Sequence, residues 1–472
     1  MCYLFAGWLL AGTLQPFELF RAAAVSPEGK PLVVATVWAL HWCEPQTGKI
    51  LRSVERGGVR ALAFSPDGRT LAAAERTIGL FDAASGKPTG KLFGHAAAVH
   101  SLAFLPGGQR LLSADEAGQV RLWDLKSQKA LRAATAHPRS TSQLALASDG
   151  ETVALATPEG VQLFEAATLL RRVTLRLPGS DQAVQAVAFS PDGRSLAALY
   201  VDHRMVIWEL VTGQPRLHRP TTRELWRTLA FHSDGRTLLI GGESLAAWDL
   251  RSDCLQPIGK RKKIEPFILF PHHQGLVAVT NREIIHEPRL PDSPEWTAMN
   301  VAQAWEALDQ RDAERAYRGL WSLLHTKQGI AHVVARLSDV SAELRDRRQK
   351  IRQLIADLDH EEFPVREKAS ASLAKLGPDV YDELESALQG QLPLEQHRRI
   401  ERLLRGMKRP SHSLPAGLLR PLRGVEILEY AGTPEARAVL EKLANSDEPR
   451  LAASAKAALS RTKKVTNLGG EK

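Results

Sequence analysis

Cysteine is scarce in this chain of 472 residues: Cys2, Cys43 and Cys254 are the only three, and no two are close in sequence. That spacing offers neither a disulfide framework nor a cysteine metal site. Long apolar runs are lacking as well. The run at the amino terminus, Cys2 to Leu14, holds 13 residues, short of the about 20 that cross a bilayer. No basic residue precedes it, the first being Arg21, so it also lacks the charged start of a secretory signal. Three readings of this run stay open: a buried closing strand, an atypical signal or anchor, and a misplaced start. Nor is there a large excess of one charge. Residues 1–292 carry 33 basic and 27 acidic side chains (+6), and the rest carry 29 and 26 (+3). The basic side chains form one block, Lys260, Arg261, Lys262 and Lys263, and the remainder is spread too thinly for a nucleic-acid footprint.

What is present is a soluble-protein balance, 44% hydrophobic and 24% charged, which excludes disordered, collagen-like and polytopic membrane chains. At roughly 150 residues per domain the length calls for two or three domains.

A phrase recurs through the first part. It reads AAAVSPEGKPL at 22–32, ALAFSPDGRTL at 61–71, SLAFLPGGQRL at 101–111 and QLALASDGETV at 143–153. It returns as AVAFSPDGRSL at 186–196, TLAFHSDGRTL at 228–238 and, faintly, FILFPHHQGLV at 267–277. The turn glycines Gly29, Gly68, Gly108, Gly150, Gly193 and Gly235 keep a spacing of 39 to 43 residues. A period near 40–45 marks four-stranded propeller blades. Alternating apolar residues, a Pro-Asp-Gly turn and a renewed apolar run predict an antiparallel pair in each phrase. A third strand then ends in an aromatic and an acid: Phe81-Asp82, Trp123-Asp124, Phe164-Glu165, Trp208-Glu209 and Trp248-Asp249. Cys43-Glu44 and His286-Glu287 are degenerate copies in register. Both markers count seven. The aromatics are expected to wedge between blades, and the acids to cap the next turn.

With VRLWDLKSQKAL (120–131) and VIWELVTGQPRL (206–217), residues 15–290 resemble a WD-repeat β-propeller. The Gly-His pair of that family is clear only at Gly94-His95, and the acid expected just before Gly118 is Ala117. The His–Asp network that stiffens blades of this family is therefore expected to be absent.

Pro288, Pro291 and Pro294 close the repeats, and helical periodicity follows. Helices are predicted near 300–308, 311–325 and 327–337. Ile351, Leu354, Ile355 and Leu358 then share one face, and Val365, Ala369, Leu373 and Leu376 another; Pro364 opens the second helix and Gly377-Pro378 stops it. Val380, Leu384, Ala387 and Leu388 should face inward on a third. VREKASASLAKLG resembles a HEAT-type helical repeat, echoed at 432–459 with Thr433 as N-cap and Pro434 as first helical residue. The whole resembles bacterial WD-repeat proteins with a helical extension.

The expected architecture is an all-β seven-bladed WD-repeat propeller followed by an all-α HEAT-like helical domain. The propeller takes residues 1–292, closed by an outer strand from residues 4–12. A helical connection takes 293–345, the HEAT-like domain 346–462, and a disordered tail 463–472.

Motifs for chemistry are missing. There is no phosphate loop, His-Glu-x-x-His, paired cysteines or Gly-x-Ser-x-Gly elbow, and GKPTGK (86–91) reads as a blade connection. His272 and His273 are adjacent, so a strand would turn their rings to opposite faces rather than onto one metal. No catalytic, cofactor-binding or metal-ligating residue is assigned, and no cofactor is expected. The function read from this is a non-catalytic scaffold for other proteins, in the cytoplasm. Its partner would contact the loops preceding the inner strands, Lys260, Arg261, Lys262 and Lys263 among them. A propeller enzyme or a carbohydrate- or small-ligand-binding module at the central channel is the alternative, and nucleic-acid binding ranks below both.

Overall fold

A computed structural model describes residues 20–468, apart from 46, 138–142, 180, 221–224, 259–267, 273–274, 280–283, 288–296, 311, 339, 391 and 408–416. The chain divides into two compact units, Met1–Trp208 with Leu217–Glu295, and Glu209–Arg216 with Trp296–Lys472.

The first unit is built from antiparallel sheets whose strands follow chain order from the inside outward. The first blade is β1 (Ala22–Val25), β2 (Leu32–Ala35), β3 (Ala39–Cys43) and β4 (Ile50–Glu55). The second is β5 (Ala61–Phe64), β6 (Thr70–Ala74), β7 (Ile78–Asp82) and β8 (Pro88–Leu92). The third is β9 (Val99–Phe104), β10 (Arg110–Asp115), β11 (Gln119–Asp124) and β12 (Lys129–Thr135). The fourth is β13 (Leu144–Leu146), β14 (Thr152–Thr157), β15 (Gly160–Glu165) and β16 (Arg171–Leu175). The fifth is β17 (Val184–Phe189), β18 (Ser195–Tyr200), β19 (Met205–Glu209) and β20 (Gln214–Arg219). The sixth is β21 (Trp226–Phe231), β22 (Thr237–Gly242), β23 (Leu245–Asp249) and β24 (Cys254–Ile258).

The expected count of seven blades needs correction. Among the described residues the propeller has six four-stranded blades, and a helical region follows. Three further strands, β25 (Ile268–His272), β26 (Gly275–Val279) and β27 (Ile284–Glu287), form only a three-stranded sheet, with β25 beside β21 and β1. The residues explain the shortfall. FILFPHHQGLV has no Pro-Asp-Gly turn, and Pro288, Pro291 and Pro294 remove the backbone donors that a fourth strand would use. Residues 4–12, expected to supply that strand, lie outside the described residues.

The repeat phrase works through packing. Phe81, Trp123, Phe164, Trp208 and Trp248, which stand at the aromatic position of the third strands, are all buried, as is Cys43 at that position in the first blade. Phe81 packs with Val33, Leu40 and Trp42 of the blade before it. Trp123 packs with Ala72, Ile78 and Leu80, and Phe164 with Leu112 and Val120. Phe81, Trp123 and Phe164 thus wedge against the preceding blade. The acid after it caps its turn: Asp82 accepts from Ser85 N at 2.7 Å, Asp124 from Ser127 N at 2.8 Å and Asp249 from Ser252 N at 2.9 Å. The tight turns also stack, because a Cβ on Gly68, Gly108 or Gly150 would meet the Pro27, Pro66 or Pro106 ring of the blade before.

The outer strands face the edge problem of every open sheet. They answer it with charge and proline: Arg52 on β4, Pro88 and Lys91 on β8, Lys129 and Arg132 on β12, Arg171 and Arg172 on β16, Pro215 on β20 and Pro257 on β24. Much of the net positive charge stands on these strands.

Among the described residues the second unit holds ten α-helices: α1 (Val301–Ala307), α2 (Ala313–Leu324), α3 (Lys327–Ser338), α4 (Val340–Ala356), α5 (Phe363–Leu376), α6 (Tyr381–Leu388), α7 (Leu394–Gly406), α8 (Leu419–Ala431), α9 (Pro434–Leu443) and α10 (Pro449–Leu468). The predicted stripes meet in one core, where Ile351, Ile355, Leu358, Ala369, Leu373, Val380, Leu384 and Ile400 are buried together. Thr433 caps α9 as its sequence indicates, its side chain accepting from Ala436 N. After that core, α8 returns to pack on α2 and α3. This departs from the nearest-neighbour stacking of a strict solenoid. Helix α10 runs on to Leu468, past the expected start of the tail at residue 463.

Within this unit a buried ion network joins the turn Glu209–Arg216 to α8. Arg216 forks onto Glu426, 2.9 Å to each oxygen, and reaches Glu209 at 3.0 Å. Arg423 forks onto Glu209 at 2.8 and 2.6 Å and bonds the carbonyls of Leu308 and Gln310. Two positive and two negative charges are thereby satisfied together, the condition under which buried ions are tolerated.

Candidate functional site

Antiparallel order fixes which loops share an end of the propeller. Inner strands begin at the end that also carries the turns between second and third strands, and the stacked Pro-Asp-Gly turns occupy the other. Lys260, Arg261, Lys262 and Lys263 fall between β24 and β25, outside the described residues, as does His273. GKPTGK is the turn into β8 together with its start. Among the described residues, no group of three or more His, Cys, Asp and Glu is placed to hold a metal.

In the third blade the expected absence of a His–Asp network is wrong. The nitrogen Nδ1 of His95 lies 2.8 Å from Asp115 Oδ2, its Nε2 2.7 Å from Ser113 Oγ, and Trp123 Nε1 donates to the same hydroxyl at 2.8 Å. Burial pushes the His95 pKa down, and Asp115 only partly offsets this. The neutral ring then donates from Nδ1 to Asp115 and accepts at Nε2 from Ser113. The acid sits three residues before Gly118, at the end of β10. Its other oxygen accepts from the backbone N–H groups of Ala117 and Gln119. This relay stiffens one blade and is sealed from solvent, the two side chains being 1% and 0% exposed, so it has no access to a substrate.

The surface signal lies above it, at the end where inner strands begin. Seven of the eight described tryptophans are buried, while Trp38, in the β2–β3 turn, is 73% exposed. Its carbonyl accepts from Arg56 N at 3.1 Å, which places it beside the loop entering β5. Phe93, entering the loop before β9, is 66% exposed with Lys91 Nζ 5.2 Å from its ring centre. Val201 and Leu225, exposed large apolar residues, belong to loops of the same end. Between them stands a polar group: His100 Nε2 is 3.0 Å from Glu116 and 3.3 Å from Arg60. Neither Trp38 nor Phe93 is part of the repeat phrase, and sequence reasoning passed over both because it treated aromatics as packing.

The opposite end holds a groove of about 430 Å³ between the first two blades, lined by Lys30, Pro31, Trp42, Cys43 and Arg52 among others. Burial pushes the Cys43 thiol up to about 12, so at neutral pH it is protonated and supplies no nucleophile.

Three segments, 48–82, 86–124 and 171–209, match the family model described as WD domain, G-beta repeat. The chain carries WD40 repeats in a β-propeller. It is similar to Periodic tryptophan protein 2 of Arabidopsis thaliana, 27% identical over 38% of this chain and 20% of that protein. Transducin beta-like protein 3 of Bos taurus is 25% identical over 50% of this chain and 32% of its own length. An uncharacterized WD repeat-containing protein of Synechocystis is 29% identical over 26% of this chain and 35% of its length. The matches therefore span about a fifth to a third of these relatives. Their sources do not bear out a bacterial origin in particular. Among the described residues no helix is long and apolar enough to cross a membrane.

Proposed function

We propose that this protein is a non-catalytic scaffold that binds other proteins through the propeller end where the inner strands begin. The observation that carries this reading is Trp38. The propeller buries five of its six described tryptophans and leaves this one 73% exposed, on a turn fixed by backbone hydrogen bonds. Exposed aromatics on rigid turns are the usual anchors of protein interfaces, because they bury large area with little loss of side-chain freedom. Phe93 adds a second anchor, and Arg60, His100 and Glu116 supply a polar surround. The WD repeats support the same reading. Lys260, Arg261, Lys262 and Lys263 join the proposal through their place in the sequence, before an inner strand.

The test is affinity capture with the full chain against a Trp38→Ala/Phe93→Ala variant, quantified by mass spectrometry. A defined set of proteins should be lost from the variant while its unfolding midpoint stays in place. An identical captured set would overturn the reading.

A further inference from the structure

In the second unit a cavity of about 140 Å³ lies between α3, α4 and α8, lined by Arg336, Arg347 and Arg420 as well as Trp305, Asp309 and Glu343. One guanidinium thus comes from each of three helices. Three other arginines of these helices are engaged. Arg345 pairs with Asp447 at 3.6 Å, Arg348 pairs with Glu448, and Arg423 is locked in the buried network. Arg336 and Arg347 make no ion pair among the described residues. Arg420 is held in place, 5.2 Å over the Trp305 ring and between Glu306 at 3.3 Å and Asp309 at 3.4 Å. Its Nε is nevertheless buried without a hydrogen-bond partner. Donors therefore converge on this space with too few acceptors to use them.

Charge points the same way. Asp309 is taken by Arg420, which leaves Glu343 alone against two arginines. Beside the cavity, His332 stacks edge-on against Trp305, and its pKa is lowered by burial and then by the positive charge of Arg336. The volume equals only about four or five waters at ~30 Å³ each. Guanidinium forks match oxyanions, and three arms from three directions suit a tetrahedral group better than a planar carboxylate.

We propose that this cavity is a binding site for a phosphoryl group, carried either by free phosphate or by a phosphorylated side chain of a partner. Titration calorimetry on the full chain tests it with two probes, inorganic phosphate and a phosphoserine peptide set against its unphosphorylated serine twin. Saturable binding should weaken at least about tenfold in Arg336→Gln/Arg347→Gln, since each charge-assisted bond is worth on the order of tenfold. Glu343→Gln, which removes the facing acid, should instead tighten it. Tighter binding of the phosphoserine peptide identifies a partner side chain as the source, and tighter binding of inorganic phosphate identifies the free ion. No saturable heat from either probe, or equal affinity in the wild type and the double variant, would overturn the site.

Discussion

His95 and Asp115 face each other across 2.8 Å in the third blade, both buried, with Ser113 and Trp123 completing the chain of hydrogen bonds. Asp115 also accepts from Ala117 N and Gln119 N, so Asp115→Ala strands three donors at once. At about 1–3 kcal/mol for a buried group left unpaired, a loss of roughly 3 kcal/mol is expected in urea unfolding of the propeller. The pH profile carries a sign as well. The folded pKa of His95 is depressed, chiefly by burial, so its contribution is whole above the unfolded value of about 6.5 and is lost as pH falls below it. His95→Phe should flatten that limb, and an unchanged slope would remove His95 as its cause.

The repeat itself was plain in the sequence, because a turn glycine and a terminal aromatic–acid pair each mark a blade and need no tertiary context. The helical stripes of Ile351, Ile355, Leu373 and Leu384 were legible for the same reason. The blade count was not. A degenerate phrase such as FILFPHHQGLV still reads as a strand pair, while the strand that completes a blade has no signature of its own. Asp115 escaped because the search was tied to the residue before Gly118, whereas the hydrogen bond to His95 starts from the strand end. Trp38 escaped because exposure is a property of the folded surface. The Arg423–Glu209 pair, 214 residues apart, has no sequence signal at all.

That pair makes its own prediction. Burial alone would raise the Glu209 carboxyl, but the Arg216 charge and the Arg423 fork outweigh it and hold the pKa at about 2. A depressed carboxylate gives stability that is full above its unfolded pKa of about 4.3 and disappears as pH falls through about 2, worth roughly 3 kcal/mol in all. Glu209→Gln should flatten acid unfolding across that window. Arg423→Ala leaves a buried carboxylate short of its partner, with an expected cost of about 3–5 kcal/mol at neutral pH. A cost below about 1 kcal/mol would show the network to be dispensable.

Gly150 tests the stacked turns. Its φ is +74°, and an added Cβ would stand 2.2 Å from the Cδ of Pro106 in the preceding turn. Gly107 has a φ of +88° with nothing within 4 Å of the same added atom. Backbone strain alone should cost Gly107→Ala about 1 kcal/mol, while Gly150→Ala adds displacement of a proline ring, roughly 3 kcal/mol in total. Equal melting points for the two variants would show that the turns do not support one another.

The outer strand β12 tests the edge argument. Lys129 and Arg132 are both exposed on it, and neither contributes to the buried core, so replacing them should hardly move the unfolding midpoint, within about 0.5 kcal/mol. Yet Lys129→Val/Arg132→Val turns KALRAAT into an uncharged apolar strand with an open row of backbone donors and acceptors, the composition that templates pairing with another chain. Light scattering should then show association rising with protein concentration while the wild type stays constant. The reverse placement, the same two valines on the buried strand β10 in place of Leu111 and Leu112, should lower stability without that association. Should the β12 variant remain unassociated at the highest soluble concentration, the positive charge of the outer strands would need another explanation, and the thin basicity of the chain would again be open to a partner of opposite charge.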